Sequence, residues 1–420
     1  MNRRSAEPRN KSFGRPRIQA LLAAIPLVAS IASAPHVTAA PAAIPGEPQV
    51  NAAPANPSRI ALGKAIFFDS TLSEPHGTSC ASCHAPARAF SGNHGSSIGV
   101  PRGSRPKHFA RRSAPSLLYV RYVPRFYFHL GDDDVQPSPF GGFFWDGRVD
   151  SIAELVKEPL LNPDEMNNRD LAQIAQKIAS ARYAIDFRRE FGDVFGDPSG
   201  TVMALGQAIE AFLTSDEMAP FTSKYDAYVR GEAKLTALEA RGLKLFKDPD
   251  KGSCISCHRF YDTSKNPARS LFTDFGYDAV AAPRNPKIPA NADARHFDLG
   301  LCERQDKATP SNDEMWCVSF RTPSLRNVAV RESFMHNGAF KKLRDAVAFY
   351  ATRATNPMLW YKSGVKFDDV PEKFRHQVNV NSVPYNRRQG DEPALTDADV
   401  DAIVAFLGTL TDAAYRKSAR

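Results

Sequence analysis

The sequence predicts a mainly α-helical fold built twice over, with long loops between the helices. Three observations predict it. Apolar residues recur at helical spacing in several stretches, whereas strand-like alternation is rare and brief. The pentapeptide Cys-x-x-Cys-His occurs twice, at Cys80–His84 and Cys254–His258. Each copy follows a similar stretch: aligning Gly63 with Gly242 also aligns Phe67 with Phe246 and Asp69 with Asp248, a weak internal repeat. A chain of 420 residues is also longer than one hydrophobic core usually serves.

Residues 1–40 read as an export signal. Arg3, Arg4, Arg9, Lys11, Arg15 and Arg17 form a positive region, and an apolar stretch runs from Ile18 to Ala34, broken by Pro26. Ala32-Ser33-Ala34 and Thr38-Ala39-Ala40 offer cleavage sites. A membrane anchor is the alternative, but the stretch is alanine-rich, short and broken by proline, and so marginal for a span of about 20 apolar residues; cleavage is the favoured reading. Without these residues the formal charge of +8 drops to about +3, with 48 basic against 45 acidic side chains. No basic stripe, finger or helix-turn-helix pattern remains, which excludes nucleic acid as a partner.

Residues 41–57, rich in proline and alanine, read as a linker. The first domain is expected over 58–230, the second over 231–412, and a tail over 413–420. Ile60, Leu62, Ala65, Ile66 and Phe67 mark a helix from Ser58, and Met203–Leu213 a later one. In the second domain Thr236 and Glu239 have capping-box spacing ahead of Leu238, Leu243, Leu245 and Phe246. At the C-terminus Thr396 can cap a helix with Val400, Ile403, Val404, Leu407 and Leu410 on one stripe.

Cys-x-x-Cys-His is the attachment motif of c-type haem. Two thiols must reach the two vinyl groups of one porphyrin, and the adjacent imidazole must sit beneath the iron. The rival readings fare worse. A thioredoxin-like pair needs a βαβ context that the sequence lacks, and zinc would have to gather ligands from distant segments. The expected cofactors are therefore two covalent haems, on Cys80, Cys83 and His84 and on Cys254, Cys257 and His258, in two cytochrome c-like domains. Cys302 and Cys317 read as a structural disulfide closing a polar loop in an oxidising compartment.

Four further segments carry a resemblance. Arg111-Arg112-Ser113-Ala114-Pro115-Ser116-Leu117, Phe144-Trp145-Asp146-Gly147-Arg148, Pro159-Leu160-Leu161-Asn162-Pro163-Asp164-Glu165-Met166 and Arg321-Thr322-Pro323-Ser324-Leu325-Arg326-Asn327-Val328 resemble the bacterial dihaem cytochrome c peroxidases, a family that includes MauG. The resemblance covers nearly all of 58–412. It implies that the N-terminal haem binds peroxide and the C-terminal haem handles electrons. It implies that Trp145 lies between the haems, that Glu165 shuttles the peroxide proton, and that Pro159 lines the pocket. It implies either of two uses. In one, hydrogen peroxide is reduced with electrons from a small cytochrome c or cupredoxin. In the other, as in MauG, high-valent haem oxidises residues of a partner protein. A non-enzymatic dihaem electron carrier is the reading from another class. The family implies a periplasmic monomer or homodimer.

The departures are informative. Typical members carry methionine fourteen residues after the histidine matched by His336; here, as in MauG-like members, that position is a tyrosine, Tyr350. A phenolate ligand would favour oxidised iron, whereas methionine raises the reduction potential. Leu155 stands where many relatives have glutamine, and Val100 where the distal histidine of other members stands; His94 or His108 could substitute for it. The family also binds calcium through an asparagine and two carbonyls. Here these fall on Ser113, Arg331 and Ser333, and the loss of the amide oxygen weakens the set.

Overall fold

The computed structural model describes residues 56–131, 136–260, 266, 270–304 and 314–416. The expected leader, nearly all of the linker and the last residues of the tail lie outside the described residues. No helix among the described residues is long and apolar enough to cross a membrane.

The first half runs through α1 (Pro57–Phe67), α2 (Cys80–Cys83), α3 (Ile152–Leu155), α4 (Lys157–Leu161), α5 (Leu171–Ala179), α6 (Ala184–Phe191) and α7 (Pro198–Leu213). The second half holds α8 (Lys224–Val229), α9 (Ala237–Lys247), α10 (Leu343–Thr352) and α11 (Asp397–Gly408). Local chemistry sets the helix starts. Asn56 caps α1 by accepting from the Arg59 amide at 2.7 Å, so the helix opens at Pro57, one residue before Ser58. The expected capping box of Thr236 and Glu239 opens α9, and Thr396 with Asp399 opens α11.

The internal repeat is present in space. α1 packs on α7, and α9 packs on α11. A Cβ added at Gly63 would overlap the Ala208 carbonyl, and one at Gly242 would overlap the Ala402 carbonyl. Each helix pair therefore crosses at a glycine. Phe67 meets Phe90 and Phe212 at 5.8 and 5.5 Å, and Phe246 meets Phe272 and Phe406 at 6.3 and 5.4 Å. Two hydrophobic clusters result, one around Ile66, Phe67, Phe187 and Phe212, the other around Tyr225, Phe246, Phe349 and Phe406. The chain passes from one to the other between Phe221 and Tyr225, a little before the expected boundary at Arg230, because a Ser223–Asp226 capping box starts α8 there.

Gly242→Ala is expected to cost about 1–3 kcal/mol by overpacking this crossing, read as a lower thermal midpoint in circular dichroism. Leu238, placed on the α9 apolar stripe from sequence, is instead 48% exposed, so Leu238→Ala should change stability by less than about 0.5 kcal/mol.

Sheet is minor. β1 (Tyr127–His129) pairs antiparallel with β2 (Ser138–Phe140), Tyr127 opposite Phe140; β3 (Tyr277–Asp278) pairs with β4 (Phe320–Arg321). A bridge from Phe140 to Gly276 joins the two ladders, and so joins the two halves.

Candidate haem sites

Each Cys-x-x-Cys-His motif forms one short helical turn with its histidine just beyond the end. Cys80, Cys83, Cys254 and Cys257 are free thiols, whereas Cys302 and Cys317 are joined in the expected disulfide. Burial pushes the thiols of Cys80, Cys254 and Cys257 up to about 12, opposite to the low value a redox-active pair needs. Among the described residues no three His, Cys, Asp or Glu side chains gather as a metal cluster. The zinc and thioredoxin readings therefore lose their support.

The histidines are held as haem ligands need to be. His84 Nδ1 lies 3.1 Å from both the Phe90 and the Pro115 carbonyl oxygens, and His258 Nδ1 lies 2.9 Å from the Phe272 carbonyl. Only a protonated Nδ1 can donate to a carbonyl, so Nε2 keeps its lone pair for iron. Burial pulls both imidazoles down to about 4, so they are neutral at pH 7. Phe90 and Phe272 reach this position with φ of 54° and 56°, a left-handed backbone that bulky residues seldom adopt. The same strained device at both motifs marks it as part of the site rather than a packing accident.

The family-like segments supply the rest of the cradle. Ser116 donates to the Ala89 carbonyl and Ser324 to the Leu271 carbonyl, each at 2.6 Å. Ala114-Pro115-Ser116-Leu117 and Thr322-Pro323-Ser324-Leu325 are thus equivalent struts under the two histidines. His84 lines a cavity with Leu117, Phe143 and Leu155. His258 lines another with Trp145, His336, Tyr350 and Tyr385. Both walls are rich in apolar and aromatic side chains, which suits a large planar apolar group.

Trp145 is buried and lines the His258 cavity, its Nε1 donating to the Ser113 carbonyl at 2.9 Å. Its neighbour Asp146, fully buried, accepts from Arg112 at 2.5 Å and Arg148 at 2.9 Å. This explains the charged residues flanking the tryptophan: they lock the loop that carries it.

Glu165 sits in a turn after α4, not at a helix start. Asn162 Nδ2 donates to it at 3.1 Å, and Ser104 N donates to its backbone carbonyl at 2.6 Å. Burial raises its carboxyl to about 7 against the pull of Arg148 and the Asn162 hydrogen bond. Neither Glu165 nor Pro159 is among the residues that line the His84 cavity. Pro159 in α4 is half-buried and ties its carbonyl to the Met166 amide at 3.1 Å, steadying the Glu165 turn. Val100 is fully buried. His94 bonds the Arg102 carbonyl at 2.7 Å and His108 bonds Asp164 at 2.9 Å.

Tyr350 on α10 lines the second cavity with His258, stacked on Tyr385 at 5.7 Å. Burial holds the Tyr350 phenol well above its ordinary value, so only a nearby cation would ionise it. His336, the landmark from which the spacing to Tyr350 is counted, lines the same cavity and stacks face to face on Phe320 at 3.6 Å. Sequence reasoning missed Tyr385, whose buried hydroxyl has no hydrogen-bond partner among the described residues.

At Ser113, the residue expected to contribute to a calcium site, the hydroxyl donates to the Met335 carbonyl at 2.8 Å, and the adjacent Ala114 carbonyl faces the Arg331 guanidinium at 3.4 Å.

Comparison with known proteins agrees with this geometry. A family model described as di-haem cytochrome c peroxidase matches residues 57–234. The methylamine utilization protein MauG of Paracoccus denitrificans is 35% identical over 375 residues, 87% of this chain and 91% of that protein. The cytochrome c551 peroxidase of Pseudomonas aeruginosa is 29% identical over 68% of this chain and 70% of its own length. The crystal structure of the diheme peroxidase BthA from Burkholderia thailandensis superposes with a TM-score of 0.82 at 56% identity, covering 86% of this chain and 87% of that one. This chain belongs to the di-haem cytochrome c peroxidase family that includes MauG.

Proposed function

We propose that the protein is an exported dihaem c-type peroxidase of the periplasm. It reduces hydrogen peroxide to two waters with two protons and two electrons from a small cytochrome c or cupredoxin. The observation that carries this reading is Glu165, a carboxyl whose proton affinity burial raises to about 7. Cys80, Cys83 and His84 would hold one haem, which would supply the chemistry of peroxide cleavage, and Cys254, Cys257 and His258 would hold a second, which would supply electron transfer.

The side chains do the remaining work. His84 and His258 present Nε2 because their Nδ1 protons are spent on carbonyls. Glu165 takes a proton from one peroxide oxygen and returns it to the other, which leaves as water. Pro159, Leu155 and Val100 offer no competing ligand or base. Trp145 stands as an aromatic step between the cavities.

The test loads the protein with haem and mixes it with one equivalent of peroxide, ferric and half-reduced, before adding a reduced small cytochrome. Oxidation of two donor molecules per peroxide supports the reading. Inertness of both forms overturns it.

Tyr350 favours a second use of the same centre, oxidation of a partner protein as in MauG, because a phenolate ligand on the second haem stabilises oxidised iron. Tyr350→Phe is expected to convert one ferric haem from a low-spin to a high-spin EPR signal. An unchanged spectrum, with His336→Ala altering it instead, would assign the ligand to His336.

A further inference from the structure

Several buried arginines among the described residues are matched with carboxylates, whereas Arg353 is held by the Val280 and Asn379 carbonyls and lies over the Tyr385 ring. Arg112 pairs with Asp298 at 2.6 Å and Asp146 at 2.5 Å, Arg326 with Asp226 at 2.8 Å, Arg304 with Asp150 at 3.0 Å and Arg284 with Asp369 at 2.9 Å. The reason is general: a guanidinium taken out of water needs a counter-charge. Arg321 and Arg331 break the pattern. Among the described residues no carboxylate lies within ion-pair distance of either. Arg331 has one long bond to the Ala114 carbonyl at 3.4 Å, and Arg321 Nε bonds the Phe144 carbonyl at 3.1 Å. Burial alone pulls Arg331 down to about 10, with no anion opposing it.

Their position is as unusual as their isolation. Arg321 and Arg331 both line the His84 cavity and the His258 cavity, so they form a shared wall. Trp145 lies in that wall: the Arg321 amide donates to its carbonyl at 2.8 Å, and the Arg331 guanidinium lies 6.0 Å from its ring. Two half-buried cations facing two cavities call for anions inside those cavities. A c-type haem brings two carboxylates, its propionates, and nothing else anionic.

We propose that Arg331, with Arg321 beside it, is the shared counter-ion of the propionates of both haems. The proposal rests on the haem reading above. It accounts for two observations together: guanidinium groups without a carboxylate among the described residues, and their place on both cavity walls. It also links the two centres electrostatically, because a charge held in the common wall acts on both.

The experiment uses the matured holoprotein. Haem is counted per chain, and the reduction potential of each haem is followed against pH in wild type, Arg331→Gln and Arg331→Lys. Removing one positive charge near the irons favours the ferric state, so Arg331→Gln should lower the reduction equilibrium constant of at least one haem on the order of tenfold, about 59 mV. The pH at which that potential begins to vary should rise, because the propionate holds its proton more tightly. Arg331→Lys should restore most of both effects. Two haems per chain with wild-type potentials and pH profiles in Arg331→Gln overturns the proposal. So does a shift of wild-type potentials by a chelator as large as that of the substitution, which would put a metal ion there instead. If Arg331→Gln does not load haem, Arg331→Lys decides: loading restored by lysine supports a charge role, and failure of both variants overturns it. A wild-type protein with fewer than two haems would instead refute the haem reading itself.

Discussion

Glu165→Gln is expected to lower kcat/KM for hydrogen peroxide by roughly 10²–10⁴-fold while both haems stay bound. Glutamine keeps the size of the side chain and can still bond with Asn162, so packing is largely preserved. What it loses is the ability to take a proton and give it back. The pH profile separates this from a structural effect. Taking the first proton from peroxide requires the carboxylate, so wild-type kcat/KM should rise as pH passes through about 7. The variant should show no inflection there. Stability should move the other way. The folded carboxyl has its affinity raised from near 4.5 to about 7, so the fold binds that proton more tightly than the unfolded chain does. Its contribution is fully present below about 4.5 and is lost as pH rises through about 7. Glu165→Gln removes that loss, so the variant should unfold at a higher temperature than wild type at pH 8. A variant with unchanged kcat/KM and an unchanged profile would place the proton shuttle on another group.

What was legible in the sequence was local or repeated. The caps at Thr236 and Thr396 read correctly because a capping box involves only four consecutive residues. The Gly63–Gly242 repeat read correctly because both helix pairs cross at that glycine, which admits no side chain. The cradle of the histidines was not legible. His84 meets Pro115 across 31 residues, and Phe90 and Phe272 take a left-handed backbone that their side chains disfavour. Nothing in composition or periodicity announces either. The same holds for Arg331: a buried cation without an anion is visible only once every nearby carboxylate has been placed. Long irregular segments resisted sequence reading for a related reason. They wrap cavities shaped for a flat cofactor, and so have no repeating period to follow.

Asp226→Ala is expected to destabilise the protein by about 3–5 kcal/mol, because it strips the carboxylate from a buried ion pair. Asp226 and Arg326 are 1% and 0% exposed and bond at 2.8 and 3.1 Å. The pair stands where the chain passes between the two cores. Asp226 also accepts from the Ser223 amide and hydroxyl, while the Arg326 guanidinium lies over the rings of Tyr119 and Phe221 at 4.9 and 4.6 Å. Tyr119 and Asn327, equivalent positions two residues after the two struts, both donate to buried Asp412, at 2.6 and 2.7 Å. One network therefore ties the first half, the crossover and the end of the chain. Burial alone would raise the Asp226 carboxyl, but Arg326 and Ser223 outweigh it and hold it below the usual carboxylate range. Its stabilising contribution is thus present above an unfolded value near 3.8 and is lost as pH falls through the lower folded value. Urea unfolding at pH 7 and at pH 3 measures both effects: the variant should lose most at pH 7, and its deficit should narrow in acid. Replacing both partners, as Asp226→Leu with Arg326→Met, separates pairing from desolvation. If the cost arises from a stranded guanidinium, the double variant should be more stable than Asp226→Ala alone. If the two changes simply add, the pair is not coupled, and the strength of this junction comes from the Tyr119–Asp412–Asn327 bonds instead.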